Sequence, residues 1–206
     1  MLNKGIIVSI QGYSKVTTSE LIDEAIAAGA VAIRTDKNIN GKAVPIIGLR
    51  KQVVNNARSQ AFITPTIPLI EEVAEKADYV AVDYRRVNKN LSEISAYCEK
   101  NNIKVVADIR DMADLMYIKE RGFYYTYIAT TLSVLVDYDN EYRFAPNIEL
   151  ASKAYEIEKD LIAEGNIFSR KHVKALIDIG IKNVCIGAAI SNVYKLTKKF
   201  TTVSGY

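Results

Sequence analysis

The sequence predicts a single (β/α)8 barrel, a TIM barrel, over residues 1–206. Three observations predict it. Eight short apolar runs of β-forming residues recur along the chain. Segments with helical spacing lie between most of them. No Pro/Gly/Ser-rich linker or charge block divides the chain. Eight parallel strands can close on themselves and leave no edge, which favours a barrel over an open doubly wound sheet.

The elements follow in order. GIIVSI from Gly5 is the first strand, and Leu21, Ile22, Ala25 and Ile26 give the next segment one apolar helical face that stops at Gly29. AVAIR from Ala30 is the second strand. After it TDKNINGKA is short and polar and contains Asn-Gly, so this crossover is expected to lack its helix or to hold only a turn. An uncovered barrel patch there would be hidden against a partner subunit. VPIIGL from Val44 is the third strand, a run buried on both faces that stops at Arg50 and Lys51. Ile70, Val73 and Ala74 begin the next helical face, and DYVAVD from Asp78 is the fourth strand.

Leu91, Ile94 and Cys98 mark the helix before IKVVAD, the fifth strand from Ile103. Asp111 is placed to cap a helix through Leu115 and Ile118 that ends at Gly122. YYTYIA from Tyr124 is the sixth strand, its rings alternating between core and helices. Asn147 caps the segment of Ile148, Ala151, Ala154 and Tyr155; DLIAEG from Asp160 is the seventh strand. Ser169 caps the helix of Val173, Leu176 and Ile177, which stops at Gly180, and NVCIGA from Asn183 is the eighth strand. KLTKKF from Lys195 is the basic face of a last helix.

Composition narrows the function classes. Hydrophobic content of 49%, charged content of 25% and a net charge of +3 describe an ordinary soluble protein and point away from nucleic acid. Cys98 and Cys185 lie within regular elements and show no metal-ligand spacing, so reduced thiols and no structural metal are expected. The apolar stretch from Gly5 to Ile10 is too short for a signal-peptide core or a membrane span; a cytoplasmic protein is the expectation. His172 falls on a polar helix face beside Arg170 and Lys171 and reads as solvated.

In a barrel of this kind chemistry gathers at the C-terminal strand ends. Those ends offer Gln11, Arg34, Lys51, Asp83, Asp108, the pair Thr130 and Thr131, Glu164 with Gly165 and Asn166, and Gly187 with Ala188. Converging carboxylates and cations would form a desolvated network suited to proton transfer. Lys51 suits a base because burial or a neighbouring cation such as Arg34 makes an ammonium give up its proton; Asp83 and Glu164 would hold its charge. The glycine-bearing loops at Glu164–Asn166 and Ile186–Ser191 suit a phosphate, since backbone amides can approach it there.

These residues also resemble a known family. GIIVSIQ at Gly5, AVAIR at Ala30, VPIIGLRK at Val44, ITPT at Ile63, VAVD at Val80, VADI at Val106, TTLS at Thr130, IAEGN at Ile162, GAAIS at Gly187 and LTKKF at Leu196 are collinear with the N-acetylmannosamine-6-phosphate 2-epimerases of bacterial sialic acid catabolism. The resemblance implies a (β/α)8 barrel that interconverts N-acetylmannosamine 6-phosphate and N-acetylglucosamine 6-phosphate with no metal and no organic cofactor. It implies that Lys51 is the acid/base at C2 and Glu164 its partner carboxylate. Gln11, Arg34, Asp83 and Asp108 match the sugar site; Gly165, Asn166, Gly187 and Ala188 match the phosphate end. A homodimer is expected, and no nucleic acid or membrane partner.

Departures from the family pattern are confined to a few places. GAAISNV replaces GGAITRP, so Asn192 stands where the family has a phosphate-binding arginine. TTLSVLVD puts Val134 in place of a glycine, and GLRKQ replaces GIIKRD. The alternative readings these changes allow are a barrel that binds a sugar phosphate without turnover and an isomerase of another phosphosugar.

Overall fold

A computed structural model describes residues 1–11, 18–39, 41–53, 61–136 and 145–201. Eight parallel strands close a barrel: β1 (Gly5–Ile10), β2 (Ala32–Thr35), β3 (Ile46–Gly48), β6 (Tyr79–Asp83), β7 (Val105–Asp108), β8 (Tyr127–Ala129), β9 (Leu161–Glu164) and β10 (Asn183–Ile186). Around the barrel the order is β1-β10-β9-β8-β7-β6-β3-β2, so strands that follow one another along the chain are neighbours and closure falls between β1 and β10. The remaining strands, β4 (Lys51–Val53) and β5 (Ala61–Ile63), pair antiparallel as a separate two-stranded sheet.

The helices are α1 (Thr18–Ala27), α2 (Ile67–Ala74), α3 (Leu91–Lys100), α4 (Met112–Arg121), α5 (Ile148–Ile157), α6 (Arg170–Asp178), the short α7 (Ala188–Ser191) and α8 (Val193–Thr201). A 3-10 helix over Thr131–Val136, the segment containing Val134, follows β8. Capping follows the sequence. Asp111 accepts the Asp114 amide at 2.9 Å, Asn147 the Leu150 amide at 3.0 Å and Ser169 the His172 amide at 3.2 Å. His172 in turn accepts the Phe168 amide through Nδ1 at 3.2 Å, so it belongs to the helix start.

Alternation along the strands builds two apolar layers. Ile7, Ile47, Tyr79, Val106, Tyr127 and Ile162 fill the barrel, while Val80, Val82, Val105, Ile128 and Leu161 meet the helices. Gly48 lets α2 approach β3, because an added Cβ would stand 2.6 Å from Val73 Cγ1 and 2.7 Å from Ala77 Cβ. At the N-terminal end of the strands Tyr79 and Tyr127 meet edge to face at 5.8 Å, and the Leu2 amide donates to Tyr127 Oη at 2.8 Å. That end is plugged by apolar side chains from the barrel interior.

Two expectations change. The run from Val44 does not continue as a barrel strand to Lys51: β3 stops at Gly48, and Lys51 opens β4. The physical reason is a competing partner, since Lys51, Gln52 and Val53 pair with Ile63, Phe62 and Ala61, and Thr64 locks the base of the pair through Arg50 N–H to Oγ1 at 3.0 Å and its own amide to Arg50 O at 2.7 Å. The second crossover does lack a helix among its described residues. The barrel beneath it is nonetheless covered, because Ile33 and Ile46 pack with α1 residues and with Ile39 and Val44, and both are buried.

Candidate active site at the C-terminal mouth

Inward parity places the polar residues. Counting in twos from the apolar interior, Ile7 leads to Ser9 and Gln11, Ala32 to Arg34, Ala81 to Asp83, Val106 to Asp108, Ala129 to Thr131, and Ile162 to Glu164. These six strands therefore aim apolar side chains into the closed end of the barrel and a polar one at its mouth, whereas β3 continues from Ile47 to the buried Leu49 and β10 from Cys185 to Gly187. Thr130 has the opposite parity. Its hydroxyl donates to Glu164 O at 2.9 Å and accepts the Glu164 amide at 3.0 Å, which fixes the end of β9 against β8.

At the centre lies one connected network. Arg34 donates through both terminal nitrogens to Asp108, at 2.5 and 3.1 Å, and its Nη1 stands 3.5 Å from Glu164 Oε2. Arg34 is 1% exposed and Asp108 is fully buried. The Thr131 hydroxyl is 2.7 Å from Asp108 Oδ1 and 3.0 Å from Glu164 Oε2. Arg34 Nε is buried with no hydrogen-bond partner among the described residues. Such donors are normally satisfied, so this one marks where an oxygen of a bound molecule would be welcome.

Burial works against every charge here. It would lower the Arg34 pKa, but Asp108 and Glu164 outweigh it and hold the guanidinium above its ordinary range. Burial raises the Asp108 pKa, opposed by Arg34 and the Thr131 hydrogen bond. Cys185 lines the interior below the network; burial pushes its thiol well up, as do the charge of Glu164 and a hydrogen bond to it. The expected reduced thiol is thus an uncharged wall of the site.

Asp83 is not a free ligand. Its carboxylate is held by Arg85, through Nε at 3.0 and 3.1 Å, Nη2 at 2.6 Å and the backbone amide at 3.0 Å. Arg85 stacks over the Phe62 ring at 4.8 Å, joining β6 to the β4–β5 hairpin. Burial raises the Asp83 pKa, and Arg85 opposes it. Sequence reasoning missed Arg85; the available signal was an arginine two residues past an inward aspartate at a strand end.

Lys51 is exposed, in contrast to the desolvated amine expected, and the charge of Arg34 expected to act on it is engaged by Asp108 and Glu164. Its placement still favours the mouth. Lys51 pairs directly with Ile63, opposed residues of an antiparallel pair share a face, and Ile63 packs into the barrel interior. β3, which leads into Lys51, stands four strands from β9 in a ring of eight, directly across from Glu164. Arg50 turns away, donating to Glu72, Asn38 and the Asp36 carbonyl.

The loops after β9 and β10 form the other side. Gly165 and Asn166 both take positive φ, 108° and 52°, a conformation that the glycine adopts without strain. Gly187 precedes α7, whose first intrahelical amides, those of Ile190 and Ser191, both donate to Gly187 O. Ser191 Oγ donates to Ser9 O at 3.1 Å, tying α7 to β1 beside Gln11, and Gln11 Nε2 donates to Ser9 Oγ at 3.0 Å. Asn192 ends α7. No cluster of His, Cys, Asp and Glu able to hold a metal occurs among the described residues, and no described helix is long and apolar enough to cross a membrane.

Comparison with known proteins is consistent in direction. A family model described as "Putative N-acetylmannosamine-6-phosphate epimerase" matches residues 18–205. The chain is 30% identical to a Staphylococcus saprophyticus protein named "Putative N-acetylmannosamine-6-phosphate 2-epimerase", with 97% of each chain covered. It is 28% identical to a Staphylococcus aureus protein of the same name, covering 98% of this chain and 99% of the relative. The fold is similar to that of the N-acetylmannosamine-6-phosphate 2-epimerase from Clostridium perfringens, with a TM-score of 0.83, 24% identity, and coverage of 98% and 94%. A thiamine phosphate pyrophosphorylase from Pyrococcus furiosus shares the barrel more distantly, with a TM-score of 0.60 at 13% identity.

Proposed function

Because the chain belongs to the N-acetylmannosamine-6-phosphate epimerase family, we propose that it interconverts N-acetylmannosamine 6-phosphate and N-acetylglucosamine 6-phosphate by removing and returning the proton at C2. The observation that carries the chemistry is the charge balance of the mouth. Arg34 pairs with Asp108 and Arg85 with Asp83, which leaves Glu164 as the carboxylate in excess, directly across the barrel from the strand leading to Lys51.

The C2 hydrogen is weakly acidic even in the open-chain aldehyde, so a base must be held against it while charge develops on the carbonyl oxygen. In this reading Lys51 takes the proton, and a sugar lying over the mouth supplies the desolvation that the amine needs. The unpartnered Arg34 Nε is a fixed buried donor for the developing oxyanion. Gln11 borders the same space. Return of a proton to the opposite face of C2 inverts the centre, with Glu164 as the acidic partner. Gly165, Asn166, Gly187 and Ala188 are the phosphate end, where backbone amides replace the arginine that the family has at Asn192.

The reaction needs only proton transfers, so neither a metal nor an organic cofactor enters it. A phosphorylated sugar does not cross a bilayer unaided, and the cytoplasm is the compartment this reading assigns. The homodimer stays part of it through the family, not through the second crossover, whose barrel face is covered within the chain.

Turnover of N-acetylmannosamine 6-phosphate in deuterated water is expected to place deuterium at C2 of the product, and Lys51→Ala to abolish this while ligand-induced thermal stabilisation persists. Stabilisation without any exchange by the unaltered protein would overturn the epimerase reading in favour of a non-catalytic sugar-phosphate barrel.

A further inference from the structure

Two carboxyl groups from different strands meet at a single hydroxyl. Thr131 Oγ1 stands 2.7 Å from Asp108 Oδ1 and 3.0 Å from Glu164 Oε2. A hydroxyl has one hydrogen and cannot donate to both oxygens at once. With both carboxyls ionised, one of the two contacts would set lone pair against lone pair, in a place where like charges already disfavour double ionisation. Arg34 brings one positive charge to these two acids. One additional proton makes the cluster neutral and completes the chain: the Glu164 carboxyl donates to Thr131, and Thr131 donates to Asp108.

We propose that Thr131 is a positioning residue whose hydroxyl shares one proton between Asp108 and Glu164. When Glu164 passes its proton to Thr131 Oγ, the Thr131 hydrogen passes to Asp108 Oδ1, so one proton moves from one acid to the other and none is gained or lost. Glu164 can thereby change between acid and carboxylate without drawing on solvent. The value of this for returning a proton to C2 rests on the epimerase reading; the shared proton itself does not. The groups facing the pair are Arg34 from β2, the Asp83–Arg85 pair from β6 and Cys185 from β10.

The test joins a binding-independent readout to kinetics. Protein labelled with 13C at Asp and Glu side-chain carboxyls is titrated by NMR, with Asp108→Asn and Glu164→Gln assigning the two signals. The pair is expected to titrate in two coupled steps in the unaltered protein and in Thr131→Ser, and separately in Thr131→Val. In turnover, Thr131→Val should lower kcat about 10- to 100-fold with KM little changed, and Thr131→Ser should restore it and the original pH profile. Thr131→Ala serves in place of valine if the branched side chain disturbs folding. Independent titration of the two carboxyls in the unaltered protein, or coupling unchanged in the valine and alanine variants, would overturn the proposal. Because the NMR titration needs no substrate, it decides whether the proton is shared even if the epimerase reading fails.

Discussion

At the residue scale the mouth works by pairing each buried aspartate with its own arginine. Asp83 and Asp108 are register partners on adjacent strands, and without Arg85 and Arg34 they would face each other as buried like charges. Asp83 is fully buried, so removing Arg85 leaves an uncompensated charge. Arg85→Met is therefore expected to destabilise the fold by about 3–5 kcal/mol near neutral pH. The sign of the pH dependence follows from burial. Asp83 already has a raised pKa in the folded state, and losing Arg85 removes the interactions that oppose the rise. A carboxyl raised on folding favours the folded state below its unfolded pKa of about 3.9 and loses that contribution as pH rises through the folded value. The deficit of Arg85→Met should thus be small near pH ~4 and full near neutrality, with Asp83→Asn/Arg85→Met recovering part of it. Urea unfolding at the two pH values checks this; a deficit independent of pH would mean that Arg85 compensates some other group.

At the element scale, helix ends behave as their cap residues dictate. Asp111 holds the first turn of α4 and sits beside Arg110 and Arg86. Burial pushes its pKa up, but the Asp114 amide and the two arginines outweigh that and leave it below the ordinary carboxylate range. A carboxyl lowered on folding contributes stability above its unfolded pKa and loses it as pH falls through the folded value. Asp111→Ala should cost about 1 kcal/mol near neutral pH, and the difference from the unaltered protein should shrink in acid as the charge is lost, which thermal unfolding across pH can follow. Such caps were legible in the sequence because they act on amides two or three residues away. The positive-φ stops at Gly29, Gly122 and Gly180 were legible for the same reason. The β4–β5 hairpin was not. Its strands are three residues each, too short for a clear period of two, and Thr64 locks them together from a positive φ of 44° that no threonine advertises. Arg85 escaped notice because it lies past the end of β6, where its spacing from Asp83 is readable but not that its side chain folds back onto that carboxylate. The inward acids were readable because period-two alternation continues from the apolar interior to the strand end.

At the scale of the whole molecule the barrel separates stability from chemistry along its axis. All candidate polar groups lie at the C-terminal ends of the strands, whereas the N-terminal end is closed by Leu2, Tyr79 and Tyr127. Leu2 is 9% exposed and packs in the interior cluster, and its amide N–H donates a hydrogen bond to Tyr127 Oη; nearby Asn183 Nδ2 donates to Asn3 O at 2.7 Å. Truncating this plug removes buried apolar surface and leaves a gap that water can partly enter from outside, so Leu2→Ala belongs at the lower end of the core range, about 2 kcal/mol. The backbone bond to Tyr127 does not depend on the side chain and should survive. Nothing in the polar network reaches this depth, because the layers between are apolar side chains that carry no charge to reorganise. Leu2→Ala should therefore lower the denaturant midpoint at unchanged slope and leave C2 deuterium incorporation at the rate of the unaltered protein, when both are measured well below the variant's melting temperature. A fall in exchange rate with the protein fully folded would show that packing at the closed end sets the geometry of Arg34, Asp108 and Glu164, and the separation along the barrel axis would have to be given up.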